Sequence, residues 1–119
     1  MTPTARSLAA LRELGYVAEV VERFNSFTKR RLDLIGCVDI LAIHPERGFL
    51  GVQACTGASH AARADKMRAE PRAAVWIAAG GSLEVWSWSK RGKAGKRKVW
   101  ELRTEVIKGE DIAVPASSA

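Results

Sequence analysis

The chain has 119 residues, 47% of them apolar, and carries 19 Lys and Arg against 13 Asp and Glu for a net charge of +6. That length suits one domain with a single sheet and helices packed on it, and leaves little room for two independent cores. The longest apolar runs, such as Ala73–Ala79, fall far short of the ~20 residues that span a bilayer, and residues 1–11 show no leader pattern, so a cytoplasmic protein is expected. The positive balance favours polyanions such as DNA or RNA.

In chain order, Thr4 is a candidate cap for a first helix that places Leu8, Leu11 and Leu14 on one face and ends at Gly15. From Tyr16 to Phe24 the even positions Tyr16, Ala18, Val20 and Phe24 are apolar, the pattern of a half-buried strand, which Glu22 interrupts. Residues 25–36 read as a loop carrying the basic run Lys29, Arg30 and Arg31. Cys37–Ile43 is apolar on both faces except for Asp39, as in a central strand covered by helices on either side. After a turn at residues 44–48, Phe49–Cys55 returns as a strand with Phe49, Gly51, Gln53 and Cys55 on one face.

An Ala-rich helix is expected over residues 58–69, with Pro71 just past its end. Ala73–Ala79 reads as another apolar strand, Gly80-Gly81-Ser82 as a hairpin turn, Leu83–Trp88 as the next strand and residues 98–107 as the last. Between those two lies a strongly cationic loop holding Lys90, Arg91, Lys93, Lys96, Arg97 and Lys98. The order helix, three strands, helix, three strands describes a single α/β domain over residues 1–113, with a mixed central β-sheet flanked by helices. Residues 114–119 are expected to form a flexible tail.

Cys37 and Cys55 are the only cysteines and sit inside apolar runs, so both are expected to be reduced and buried. The chain contains no Gly-rich phosphate loop with its Lys, no His-Glu-x-x-His and no Gly-x-Ser-x-Gly, which leaves nucleotide hydrolysis, zinc proteolysis and serine-esterase chemistry unsupported. A closed zinc site is disfavoured as well, because His44 and His60 lack motif spacing relative to Cys37, Asp39 and Cys55. Trp86 and Trp88 could stack on bases, although packing is the commoner use of a strand tryptophan, and Trp76 and Trp100 are assigned to packing.

Two adjacent strands thus offer one buried polar residue each, Asp39 and Gln53. An unpartnered buried carboxylate costs several kcal/mol by order of magnitude, so Asp39 requires a metal, a base or backbone amides. The amides of the loop at residues 29–36 and a metal ion are both open as its partner.

The segments Gly36-Cys37-Val38-Asp39-Ile40-Leu41-Ala42-Ile43 and Val52-Gln53-Ala54-Cys55 resemble the PD-(D/E)XK nuclease core, and the resemblance extends over roughly residues 8–88. The first helix, the basic loop and the second helix also resemble Holliday-junction resolvases and VRR-type nucleases, and Mrr-type restriction enzymes share the Gln. The resemblance implies a restriction-endonuclease-like fold and a metal-dependent DNA endonuclease that hydrolyses phosphodiester bonds. It makes Asp39 and Gln53 metal ligands, with the Ala54 backbone carbonyl as a third, and it makes Mg²⁺ or Mn²⁺ the cofactor. Cys55 stands where the family has its catalytic lysine, and Lys66, or else Arg63, on the following helix would replace that charge, so Asp39, Gln53 and Lys66 form the expected catalytic set.

DNA, duplex or branched, is the implied partner, held by Lys29, Arg30, Arg31 and the cations of residues 90–98, with room for a homodimer and no membrane. The alternative is a catalytically degenerate nuclease fold that acts as a DNA-binding or assembly module. A third reading is an RNA-binding protein with no nuclease ancestry.

Overall fold

The computed structural model describes residues 1–92, 95 and 97–112. Helix α1 covers Pro3–Glu13. Thr2, not Thr4, caps it: Ala5 N–H donates to Thr2 Oγ1 at 3.0 Å, and Pro3 takes the first helical position, where its fixed φ suits the helix and its missing N–H costs nothing. Gly15, at φ +93°, supplies the left-handed residue beyond the helix end.

Strand β1 spans only Val17–Val20. The chain then leaves the sheet to form a separate hairpin of β2 (Arg23–Asn25) and β3 (Arg30–Leu32), so the expected strand to Phe24 and the expected loop at 25–36 are both corrected. The cause is tertiary. The amides of Val21 and Glu22 donate to the carbonyl of Asp39, at 2.8 and 3.3 Å, and this turns the backbone out of the sheet.

Strands β4 (Ile40–His44) and β5 (Gly48–Thr56) form an antiparallel hairpin. A single turn of 3₁₀ helix at Gly57–Ser59 leads into α2 (His60–Arg68), and α3 (Pro71–Ala78) follows. The apolar run Ala73–Ala79 is therefore helical and not a strand. Pro71 opens the helix and the Glu70 side chain accepts from Arg72 N–H at 3.0 Å, a local start signal that outweighs the run's lack of period. The glycine pair is correspondingly a helix-to-strand turn: Gly80 has φ +102° and Gly81 N–H donates to Trp76 O at 3.0 Å.

Strands β6 (Ser82–Arg91) and β7 (Val99–Val106) complete a five-stranded sheet in the order β1-β4-β5-β6-β7. β5 and β6 run parallel, joined by the α2–α3 crossover, and every other pairing is antiparallel. This is the expected mixed α/β sheet flanked by helices.

Period-two alternation divides the core into two layers. Ile40, Ala42, Leu50, Val52 and Trp86 face Leu11 of α1, whereas Cys55, Leu83 and Val85 face Ala64, Met67 and Ala73 of α2 and α3. β4 is not covered on both faces as expected. Ile43 is 50% exposed beside a 70% exposed Val17, because α2 and α3 cover the β5–β6 half of the sheet only. Cys37 and Cys55 are buried and unbridged. Among the described residues, no helix is long and apolar enough to cross a membrane.

Candidate functional site

Asp39 sits where β1 and β4 part. Its N–H donates to Val52 O of β5 at 2.9 Å while its carbonyl holds the amides of Val21 and Glu22, so its backbone is fixed from both neighbouring strands. The approach is strained: Ile35 and Gly36 both adopt positive φ, +46° and +76°, in the tight turn closed by the Leu34–Val38 bridge.

Asp39 is 3% exposed, and two of its side-chain partners lie on β5. Ala54 N–H donates to Oδ2 at 2.9 Å and Gln53 Nε2 donates to the same oxygen at 2.5 Å. The loop amides of residues 29–36 are not among these partners. Sequence reasoning therefore paired Asp39 with Gln53 correctly in space, but the amide nitrogen is what meets the carboxylate. Gln53 Oε1 is buried with no hydrogen-bond partner among the described residues, and Ala54 supplies its N–H to the carboxylate.

Two acids that the sequence did not single out complete the site. Glu22, just after β1, and Asp33, just after β3, bring carboxylate oxygens within 4.8 Å of one another and of Asp39. Glu22 had a detectable signal, since it broke an otherwise apolar face. Asp33 had only its isolation among Leu32, Leu34 and Ile35.

Electrostatics separates Asp39 from Asp33. Burial, followed by a hydrogen bond to Asp33 and repulsion from Asp33 and Glu22, pushes Asp39 up to about 7 against the pull of the Ala54 amide. Burial acts on Asp33 too, but hydrogen bonds to Asp39 and Lys66, with the charges of Lys66 and Arg63, hold Asp33 below its ordinary value. A pair of carboxyl groups whose titrations are driven apart shares one proton near neutrality, and a cation can replace that proton. Three carboxylate oxygens at this spacing are hard donors that could hold a metal ion.

A cationic rim surrounds the acids. Lys66 of α2 reaches Asp33 Oδ2 at 2.8 Å and Arg31 of β3 reaches Glu22 Oε1 at 3.4 Å. Lys66, Arg63 and Arg31 line one open cavity of about 460 Å³ together with Asp39, Asp33 and Glu22. Ala54 and Cys55 line it as well. Burial raises the Cys55 thiol above its ordinary value, with Arg63 opposing and Asp39 reinforcing the shift, so it stands neutral at the position where a lysine was expected.

The remaining expected contacts are dispersed. Lys29 and Arg30 are exposed on the hairpin. Lys90 and Arg91 end β6, Arg97 and Lys98 precede β7, and Lys93 and Lys96 lie outside the described residues, as does the expected tail. Trp86 is buried and Trp88 donates to Ser7 Oγ at 2.9 Å, in keeping with packing. Trp100 is 41% exposed, with the Arg6 guanidinium 4.0 Å and the Lys90 ammonium 5.7 Å from its ring centre.

A second buried polar group lies under α2. His60 contacts Ser87 Oγ through Nδ1 at 2.6 Å and Glu105 through Nε2 at 2.8 Å, and Arg68 holds the other Glu105 oxygen. This network ties the helix that carries Lys66 to β6 and β7. Comparison of the chain with protein-family models, curated proteins and solved structures returns no match.

Proposed function

We propose that the protein is a metal-dependent endonuclease of PD-(D/E)XK type acting on DNA. The observation that carries this reading is the convergence of Glu22, Asp33 and Asp39 in one cavity that Lys66, Arg63 and Arg31 also line. Asp39, with Asp33 and Glu22, would hold the ion, and Gln53 would steady Asp39 through its amide nitrogen. Bound there, Mg²⁺ or Mn²⁺ supplies a water of lowered pKa and neutralises phosphate charge.

The chain's own residues do the rest. Lys66 and Arg63 offer positive charge to a phosphodiester lying in the cavity, where charge accumulates in the transition state. Asp33 fixes the Lys66 ammonium and so limits the reorganisation needed on binding. Arg31 stands at the mouth as a phosphate contact, and the cations flanking the β6–β7 connection add sequence-independent affinity. A nucleic-acid-processing enzyme of this kind acts in the cytoplasm.

The neutral, buried Cys55 favours a second reading, a degenerate nuclease fold that binds DNA without cutting it. One experiment separates the two: cleavage of duplex, single-stranded and branched DNA in Mg²⁺ or Mn²⁺ by the wild type and by Asp39→Ala. The nuclease reading expects wild-type cleavage that Asp39→Ala abolishes while most DNA affinity remains. DNA binding with no metal-dependent cleavage by the wild type establishes the binding module. A folded Asp39→Ala protein that cuts at the wild-type rate removes Asp39 from the chemistry.

A further inference from the structure

We infer that the β2–β3 hairpin is a base-stacking wedge whose tip, Phe27 backed by Phe24, engages an unpaired base, so that the preferred ligand is nucleic acid with a junction or a frayed step. The inference deepens the proposed function and rests on it for the class of ligand.

The first observation is exposure. Phe27 is 95% exposed and Phe24 is 61% exposed, although the alternation of the sequence had assigned Phe24 to a buried face. Both stand on a hairpin outside the main sheet. The tip is also shaped to hold its ring outward. Asn25 Oδ1 accepts from the amides of Phe27 and Thr28 at 2.9 and 3.2 Å, and Lys29 closes the turn in the left-handed region at φ +57°. The ring at 27 is thus carried on a locally bonded turn, with no apolar neighbour covering it among the described residues.

The second observation is charge. Residues 23–32 contain Arg23, Lys29, Arg30 and Arg31 and no acid, so the surface around both rings complements a polyanion. A bare apolar tip would suit a protein groove, but an aromatic ring on a hairpin rich in cations matches a stacked base with its flanking phosphates.

The third observation is position. Glu22 and Asp33, two of the three acids in the cavity, flank the hairpin at its base. Within it, Phe24 pairs directly across from Arg31, and Arg31 lines the cavity above Asp39. Phe27 stands five residues beyond Glu22, on the order of 10–17 Å at the rise of a strand. A strand whose phosphate enters the cavity therefore passes Arg31 and Phe24 and meets Phe27 a few nucleotides away. Apolar side chains inserted at a base step unstack it, at least cost where pairing is already broken.

The test uses the full chain in EDTA, so that binding is read without cleavage. Anisotropy titrations compare a continuous duplex with a forked duplex carrying 2-aminopurine at the junction, for the wild type, Phe27→Ala, Phe27→Trp and Phe24→Ala. The wild type should prefer the fork and change 2-aminopurine emission on binding. Phe27→Ala should lose about 5–100-fold on the fork, the alanine cost of one stacked base, and about 2-fold or less on duplex. Phe27→Trp should restore both the affinity and the emission change.

An unchanged fork preference in Phe27→Ala, or equal losses on fork and duplex, overturns the wedge. Phe27-dependent binding to vesicles of anionic lipid, with no preference among DNA forms, overturns it in favour of a membrane surface. The two inferences fail separately: metal-dependent cleavage with an indifferent Phe27→Ala leaves the nuclease without the wedge. A Phe27-dependent fork preference with no cleavage in any metal leaves the wedge on a binding module.

Discussion

The proton shared by Asp33 and Asp39 makes the protein's stability depend on pH in an unusual direction. Asp39 stands near 7 in the folded protein and at 3.8 as a model group, chiefly because burial disfavours its charge. Between those values the folded state holds a proton that the unfolded chain has released. Stability must then fall as pH rises, by about 1.4 kcal/mol per pH unit for one proton. Asp33, Glu70 and Glu105 are all held below their ordinary values, so their contributions are lost only as pH falls below about 4.5.

The two trends place the optimum near pH 4.5, with a decline of about 3 kcal/mol by pH 7, which is roughly 10 °C in Tm for a domain of this size. Thermal melts in steps from pH 4 to 8, at constant ionic strength and with EDTA, measure the slope. Asp39→Asn keeps an acceptor for the Ala54 amide but has no proton to exchange, so its melting temperature should be flat from about pH 4.5 to 7. Mg²⁺ at ten times its Kd should return about 1.4 kcal/mol to the wild type at pH 8 and nothing to Asp39→Asn. Wild-type stability that rises over this interval, or a slope that survives in Asp39→Asn, refutes the shared-proton account.

Three further outcomes follow from the same geometry. Lys66→Ala should lower metal-dependent cleavage by about 10²-fold, since one electrostatic donor is lost, with little change in duplex affinity; single-turnover rates beside binding titrations check it. Replacing Lys90, Arg91, Lys93, Lys96, Arg97 and Lys98 with Ser should weaken DNA binding and flatten its dependence on salt, and an unchanged slope in log Kd against log salt contradicts their role in phosphate contact. Gly81→Ala would bring a Cβ to 2.4 Å from the Phe49 ring and 2.5 Å from the Trp76 indole, so denaturant melts should show a loss of about 1–3 kcal/mol; an unaffected midpoint means that turn is looser than described.

The sequence was readable where local pattern and tertiary context agree. Asp39 and Gln53 stood out because each interrupts an apolar strand, and the structure joins them side chain to side chain. The mixed sheet was expected from the order helix, three strands, helix, three strands, and the strands at Phe49–Cys55 and Leu83–Trp88 do pair in it. Ala73–Ala79 misled because seven consecutive apolar residues have no period of their own, and only Glu70 and Pro71 just upstream mark a helix start.

The division of residues 16–36 had no local signature at all. Val21 and Glu22 leave the sheet because a carbonyl 17 or 18 positions later takes their amides. Nothing near residue 22 encodes that bond, so Glu22 and Asp33 could not be assigned to the site from alternation. The exposed Phe24 escaped for the same reason.

One departure from the pattern that the proposed function invokes, a thiol where that pattern has a lysine, fits the packing around α2. Cys55 is 4% exposed and belongs to the apolar layer of Cys37, Val38, Ala64 and Met67. Cys55 also borders the cavity, so a lysine there would have to fit its long stem at the boundary of a close-packed layer. In the proposed nuclease Lys66 would meet the same electrostatic need from outside: its side chain is 43% exposed and its ammonium lies 2.8 Å from Asp33. Ala64 and Met67 are buried while Arg63 and Lys66 line the cavity, so two adjacent faces of one helix pack the core and deliver the charge. The delivery depends on helix register, which His60 fixes by bonding Ser87 and Glu105 from the first residue of α2. A positive charge carried by a helix tied down in this way is positioned without a strand lysine, and position 55 is left free to be small and apolar.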